Sequence, residues 1–299
     1  MTSTRRKRSF SEGESTSTTR HATRRETIRS NPCRDLDTPK PSGWFSACVD
    51  IGHVRVDTSV DETSRIVLPR ILLSADKTDE LISEFVAQGG KPEDWWKEWH
   101  GSYSIAPTDS APIVRDRGEG RILELVRWDW QKPPSRPTGA PIINARIEKL
   151  VTGFWAPAFT AARCVVPMRD YYEWTGTKGD KTPHFLHGED DSLLAAAGLT
   201  WSMDVKGEHV RCFVVVTREA RDAGGEVHDR MPAFLTPDAM DAWLEPVKLD
   251  RGGREDLLAT LDGSSAAVAS TIRQHVVDRR VNSVRTADSS DPGLIAPAA

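Results

Sequence analysis

Four short clusters place titratable or hydrogen-bonding side chains where a strand would otherwise be apolar, or just beyond its end. In Asn144-Ala145-Arg146-Ile147-Glu148 an amide, a guanidinium and a carboxylate recur at every second residue, which puts them on one face of an extended segment. Such a trio is costly to bury unpaired, so it either pairs internally as a structural ion cluster or lines a cleft. In Asp170-Tyr171-Tyr172-Glu173-Trp174 a glutamate sits among aromatic residues. Desolvation there would raise its pKa and suit it to general-acid work, whereas simple alternation would leave it facing solvent between inward rings. His228-Asp229-Arg230-Met231-Pro232 follows the apolar run 213–217 and the pair Gly224-Gly225, read as a turn. A histidine beyond a buried strand is well placed for proton transfer, or is an ordinary surface residue. Tyr103 to Thr108 reads as a turn leading into a strand at Ile113.

The elements that must position these groups follow from patterning. Strand-like runs are expected at 122–128, 163–168, 171–175, 184–187, 193–201, 210–217 and 275–284. Helices are expected at 78–88, 94–99, 236–244 and 254–261, the third opened by Thr236-Pro237 as cap and first position. Many short strands separated by Gly, Pro and Asp imply an α+β fold around a mostly antiparallel, barrel-like sheet with a few peripheral helices.

Residues 1–65 read as a disordered basic leader, 66–288 as one domain, and 289–299 as a flexible tail. Nine Lys/Arg against three Asp/Glu up to Arg34 leave the rest of the chain at −10, since the total is −4. An acidic body must therefore contact nucleic acid, if at all, through a local patch of arginines. Arg5-Arg6-Lys7-Arg8 fits a nuclear signal, and the Ser/Thr/Arg-rich stretch also fits a transit peptide, a solvated tail or a start codon assigned too far upstream. The four cysteines (Cys33, Cys48, Cys164, Cys212) form no C-x-x-C pair, so a reducing compartment is expected, with no zinc site and no disulfide framework. No run of about eighteen apolar residues suggests a membrane span.

Taken together, the clusters are similar to the SRAP (SOS-response-associated peptidase) family. The resemblance rests on Ser104-Ile105-Ala106-Pro107-Thr108, Arg127-Trp128, Asn144-Ala145-Arg146-Ile147-Glu148, Tyr172-Glu173-Trp174, His228-Asp229-Arg230-Met231-Pro232 and Val281-Asn282, and covers 67–286. It implies a single-domain, cofactor-free monomer that binds single-stranded DNA and reacts with the aldehyde of abasic sites, in the cytoplasm or nucleoid (the nucleus in a eukaryote). By motif match Asn144, Glu173 and His228 take the catalytic roles. Arg70, Arg146 and Arg230 hold phosphates, and Pro107, Trp128 and Trp174 offer apolar platforms to bases. The family nucleophile is an N-terminal cysteine that closes a thiazolidine. Here Leu68 stands at the matched position, and unmasking of Cys33 or Cys48 by cleavage is an alternative source. A non-catalytic single-stranded-DNA-binding pseudoenzyme is the competing reading; peptidase activity limited to self-processing is a third.

Overall fold

The computed structural model describes residues 70–74, 77, 85, 99–133, 139–177, 179–205 and 207–299. The leader, Leu68, Cys33, Cys48 and most of the first two expected helices lie outside them, although Phe85 is helical and buried.

Two sheets organise the domain. The first is antiparallel throughout, in the order β13-β8-β7-β1-β2. It comprises β1 (Arg70–Leu73), β2 (Ser102–Ile105), β7 (Asp170–Thr177), β8 (Asp180–Gly188) and β13 (Ile272–Val276). The second is a mixed sheet whose strands β10, β4, β3, β6 and β9 close on themselves through a β9–β10 pairing, with β11, β12 and β5 attached. Its strands are β3 (Ser110–Asp116), β4 (Arg121–Trp128), β5 (Asn144–Arg146), β6 (Arg163–Met168), β9 (Leu194–Val205), β10 (Glu208–Glu219), β11 (Arg230–Pro232) and β12 (Phe234–Leu235). The α+β, mostly antiparallel expectation holds, with one departure: β4 and β5 both run parallel to β10.

Closure depends on close strand approach at Gly198 in β9. A Cβ there would lie 2.9 Å from both the Cys164 Sγ and a Val166 methyl, closer than side chains tolerate, so only glycine lets β6 and β10 flank β9 this tightly. The core that fills the barrel is apolar and aromatic; Trp128 stacks on Phe213 at 6.1 Å with both rings fully buried.

Helices α1 (Ala156–Ala161), α2 (Asp222–Val227), α3 (Pro237–Leu244) and α4 (Arg251–Ala269) lie at the edges. Thr236-Pro237 opens α3 as expected, but α4 is longer than its apolar pattern suggests. Gly252, Gly253 and Gly263 weaken the local signal. The Asp250 carboxylate, accepting from Gly253 N at 2.8 Å, supplies a cap further upstream. Gly224-Gly225 is not a turn but the middle of α2. The expected strand 275–284 stops at Val276, because Asp278 accepts from Arg280 N and caps a 3-10 turn over Arg279–Asn282.

The C-terminal residues are not a loose tail. Leu294 is buried, Ala298 N donates to Val276 O at 2.8 Å and Tyr103 N donates to Ser289 O at 2.7 Å. This segment covers a second apolar cluster of Leu72, Tyr172, Trp174, Phe185, Val277 and Val281 on one face of the antiparallel sheet. Within it a short 3-10 turn, Pro292–Ile295, carries the buried Leu294.

Candidate functional site

Strand alternation on β7 divides the expected site residues between two faces of the antiparallel sheet. Tyr171 and Glu173 point inward, and Tyr172 and Trp174 point to the face covered by the C-terminal segment. Arg70 pairs opposite Tyr172 and shares its face. Its guanidinium is buried, donates to Ser104 Oγ at 3.1 Å and to Val281 O, and lies 5.6 Å from the centre of the Trp174 ring. Trp174 in turn donates to Asn282 Oδ1 at 2.7 Å. In this structure the Arg70 charge ties β1 to β2 and to the 279–282 turn. Trp128 has no exposed surface and its indole N–H is bonded to Ile143 O at 2.9 Å. Trp174 keeps only 8% of its surface exposed, too little for a base to stack on. Pro107 stays half-buried in the 106–109 turn, where Thr108 has a strained φ of 77°.

The second sheet gathers another set. β10 carries β5 on one side and β11 on the other, so Thr217 lies between Arg146 and Pro232. Arg230 reaches Glu148 with both arms, at 2.8 and 3.2 Å, and also donates to Thr217 O at 2.7 Å. Burial works to raise the Glu148 pKa, but the Arg230 hydrogen bonds and charge overcome it and leave it below the usual range. Glu148 does not share the strand face of Asn144 and Arg146, because the chain turns into a 3-10 helix at Ile147–Lys149. Its partner is thus Arg230 and not Arg146. Arg146 is exposed and has no ion pair among the described residues, while the Asn144 side-chain oxygen is buried without a hydrogen-bond partner.

Glu173 is 3% exposed, which removes the solvent-facing alternative for it. Burial pushes its carboxyl well above the ordinary range; the Trp174 backbone and Lys181 oppose the shift and Asp229 adds to it. One carboxyl oxygen, Oε2, has no partner. Such a group holds its proton more tightly than an ordinary carboxyl and is suited to release it when a basic atom arrives. His228 closes α2 and is held from two sides. Its Nδ1 lies 3.0 Å from Arg230 N and 3.0 Å from the Asp229 carboxylate. The neutral ring accepts from the Arg230 amide; a protonated Nδ1 donates to Asp229 instead. The two contacts ask for opposite protonation states at one nitrogen, an arrangement suited to passing a proton.

The described thiols cannot replace a terminal nucleophile. Cys164 and Cys212 are fully buried; burial drives the Cys164 pKa far up and that of Cys212 to about 11.

A family model described as SOS response associated peptidase (SRAP) matches residues 70–284. The chain belongs to the SRAP family. Among SRAP relatives, abasic site processing protein YobE of Bacillus subtilis is 28% identical over 193 residues, covering 62% of this chain and 85% of that one. Abasic site processing protein YedK of Escherichia coli is 26% identical, over 62% and 81%. The HMCES protein of Gallus gallus, also named an abasic site processing protein, is 27% identical over 65% and 67%. A solved structure from Bacteroides thetaiotaomicron superposes with a TM-score of 0.57 at 15% identity, over 77% of this chain and 99% of that one. A phage-related protein from Bordetella bronchiseptica gives 0.56 at 21%, over 70% and 94%. These two share the SRAP fold. Among the described residues no helix is long and apolar enough to cross a membrane.

Sequence reasoning did not single out Thr217, Asp229 or Tyr171 as site neighbours. Asp229 was visible inside the His228–Pro232 motif. Tyr171 was likewise visible inside the 170–174 cluster, whereas Thr217 emerges only from the register of β10.

Proposed function

We propose that this SRAP protein recognises abasic sites in single-stranded DNA and manages proton transfer at the opened sugar with Glu173 and His228. The observation that carries the reading is Glu173: a buried carboxyl with a free oxygen, its pKa raised by burial and felt electrostatically by Asp229, the partner of His228. The names of the relatives support the substrate. Glu173 donates its proton to the ring oxygen as the C1′–O4′ bond breaks, while the C1′ hydroxyl proton passes to His228, giving the aldehyde. His228 takes and returns the protons released as an amine adds and water leaves. Asn144 orients the reacting group with its unpaired amide oxygen. Arg146, exposed and unpaired, takes a backbone phosphate. Arg230, already forked onto Glu148, acts chiefly by fixing β5, β10 and β11 together.

Covalent capture needs an α-amine beside an accessible thiol; Cys164 and Cys212 are internal, so they have no free α-amine, and their thiols are buried. The second reading, binding without a bond, is favoured by Leu68 at the position of the family cysteine. Intact mass of the natively expressed protein, before and after incubation with abasic single-stranded DNA, separates the two. A chain beginning with cysteine plus a denaturation-resistant adduct supports capture. A full-length chain with salt-sensitive binding and no adduct supports the binder. Absence of any preference for abasic over intact single strands overturns both.

A further inference from the structure

Tyr171 stands two residues before Glu173 on the same inward face of β7, and its side chain is fully buried. Its hydroxyl has no hydrogen-bond partner, and neither has Glu173 Oε2. A buried, unpaired hydroxyl is costly, and two such atoms on one face of one strand are a rare coincidence in a folded core. The ring lies in a tight setting, 5.9 Å from Phe234. The hydroxyl faces α2, 3.5 Å from where a Cβ on Gly224 would sit. The two groups also feel each other: Glu173 adds to the rise that burial imposes on the Tyr171 phenol.

We infer that the Tyr171 hydroxyl is the positioning partner of Glu173, joined to it through one water molecule, and steadies the carboxylate formed when Glu173 gives up its proton. This rests on the reading of Glu173 as an acid. A phenol suits the task because its O–H both accepts and donates. While Glu173 is neutral, its acid proton is held toward the water and the tyrosine oxygen. When that proton moves to the sugar oxygen, the water and the tyrosine O–H reorient to donate to the new carboxylate. Tyr171 remains neutral throughout, and the proton returns to Glu173 when the step is reversed or product leaves. The other groups facing Glu173 do not substitute for this. His184, directly opposite on β8, has both ring nitrogens engaged, by Thr175 Oγ1 and Gln274 Oε1, each at 2.9 Å. Asp229 is anionic and Lys181 is half-exposed on the neighbouring strand.

The test is Tyr171→Phe in the full-length protein, read first by carbon-detected NMR titration of the Glu173 carboxyl, with Glu173→Gln assigning the signal. A hydrogen bond favours the ionised over the neutral acid. Removing it should raise the Glu173 midpoint by about one pH unit and slow processing of abasic DNA about tenfold, with single-strand affinity unchanged. An unchanged midpoint together with an equal or higher melting temperature would show Tyr171 to be packing alone. If wild type processes no abasic DNA at all, the proposed function fails, and the NMR midpoint still decides the link between the two side chains.

Discussion

Replacing Asp170 with asparagine should make the protein more stable at alkaline pH and change little in acid. Asp170 begins β7 opposite Leu72 and His187, and is 1% exposed. Arg169 approaches one carboxylate oxygen at 3.4 Å, but is itself shared with Asp191 at 2.8 Å, and the other oxygen of Asp170 has no hydrogen-bond partner. Burial therefore outweighs the neighbouring cation and lifts the pKa from 3.8 to about 7. The native state then holds this proton more tightly than the unfolded chain. Its contribution to stability is complete below about pH 4, declines as pH rises toward about 7, and is lost above that. At about 1.4 kcal/mol per unit, the shift corresponds to about 4 kcal/mol, an upper bound because the unfolded chain retains some structure. Urea unfolding of wild type and Asp170→Asn should be compared near pH 4, 6 and 8, using the difference between proteins so that other titrations, Glu173 included, cancel. The two should converge near pH 4, with the variant ahead by a few kcal/mol near pH 8. Parallel curves, or a variant weaker at alkaline pH, would refute the reasoning and mean that the Arg169 ion pair outweighs burial.

Arg146→Ala should weaken single-stranded DNA binding and reduce the slope of log affinity against log salt by about one, measured by fluorescence anisotropy; an unchanged slope removes it as a phosphate ligand. Trp128→Ala should cost about 3–5 kcal/mol by leaving a cavity against Phe213, with any DNA-binding defect vanishing at temperatures where the variant is fully folded. Glu173→Gln should slow abasic-site processing by about 10²–10⁴ while leaving affinity intact. In wild type that activity should fall as pH rises through the elevated Glu173 pKa, and the glutamine variant should lose this limb of the profile.

The sequence made the strands legible wherever alternation was strong and both faces were packed. The run 163–168 coincides with β6, and the other expected strands to 217 begin within one or two residues of an observed strand, except 184–187, which lies inside β8 well after its start at Asp180. It misled where a cap or a turn overrode pattern, as at Asp278 and across Gly224-Gly225. The family motifs located the right neighbourhood but could not say which way each side chain points. Arg70 and Trp174 sit beside Glu173 in space yet face away from it. Trp128 is next to Arg127 in sequence but belongs to the barrel interior. Partner choice was equally hidden. Glu148 looks like the mate of Arg146 two residues away, and only the flanking of β10 by β5 and β11 brings Arg230 to it instead.

The buried Arg70 guanidinium, bonded to Val281 O, joins the first described strand to nearly the last turn, across a separation of 211 residues. On the ribosome, β1 consequently emerges long before the segment that secures it. Until residues 277–298 are released, one face of the antiparallel sheet is uncovered and the Arg70 charge has Ser104 but lacks its carbonyl acceptor at Val281. The strand that carries Glu173 gains its final support only at the end of translation. Premature termination or loss of the last few dozen residues should therefore disturb the candidate site along with the far end of the chain, however intact the barrel remains.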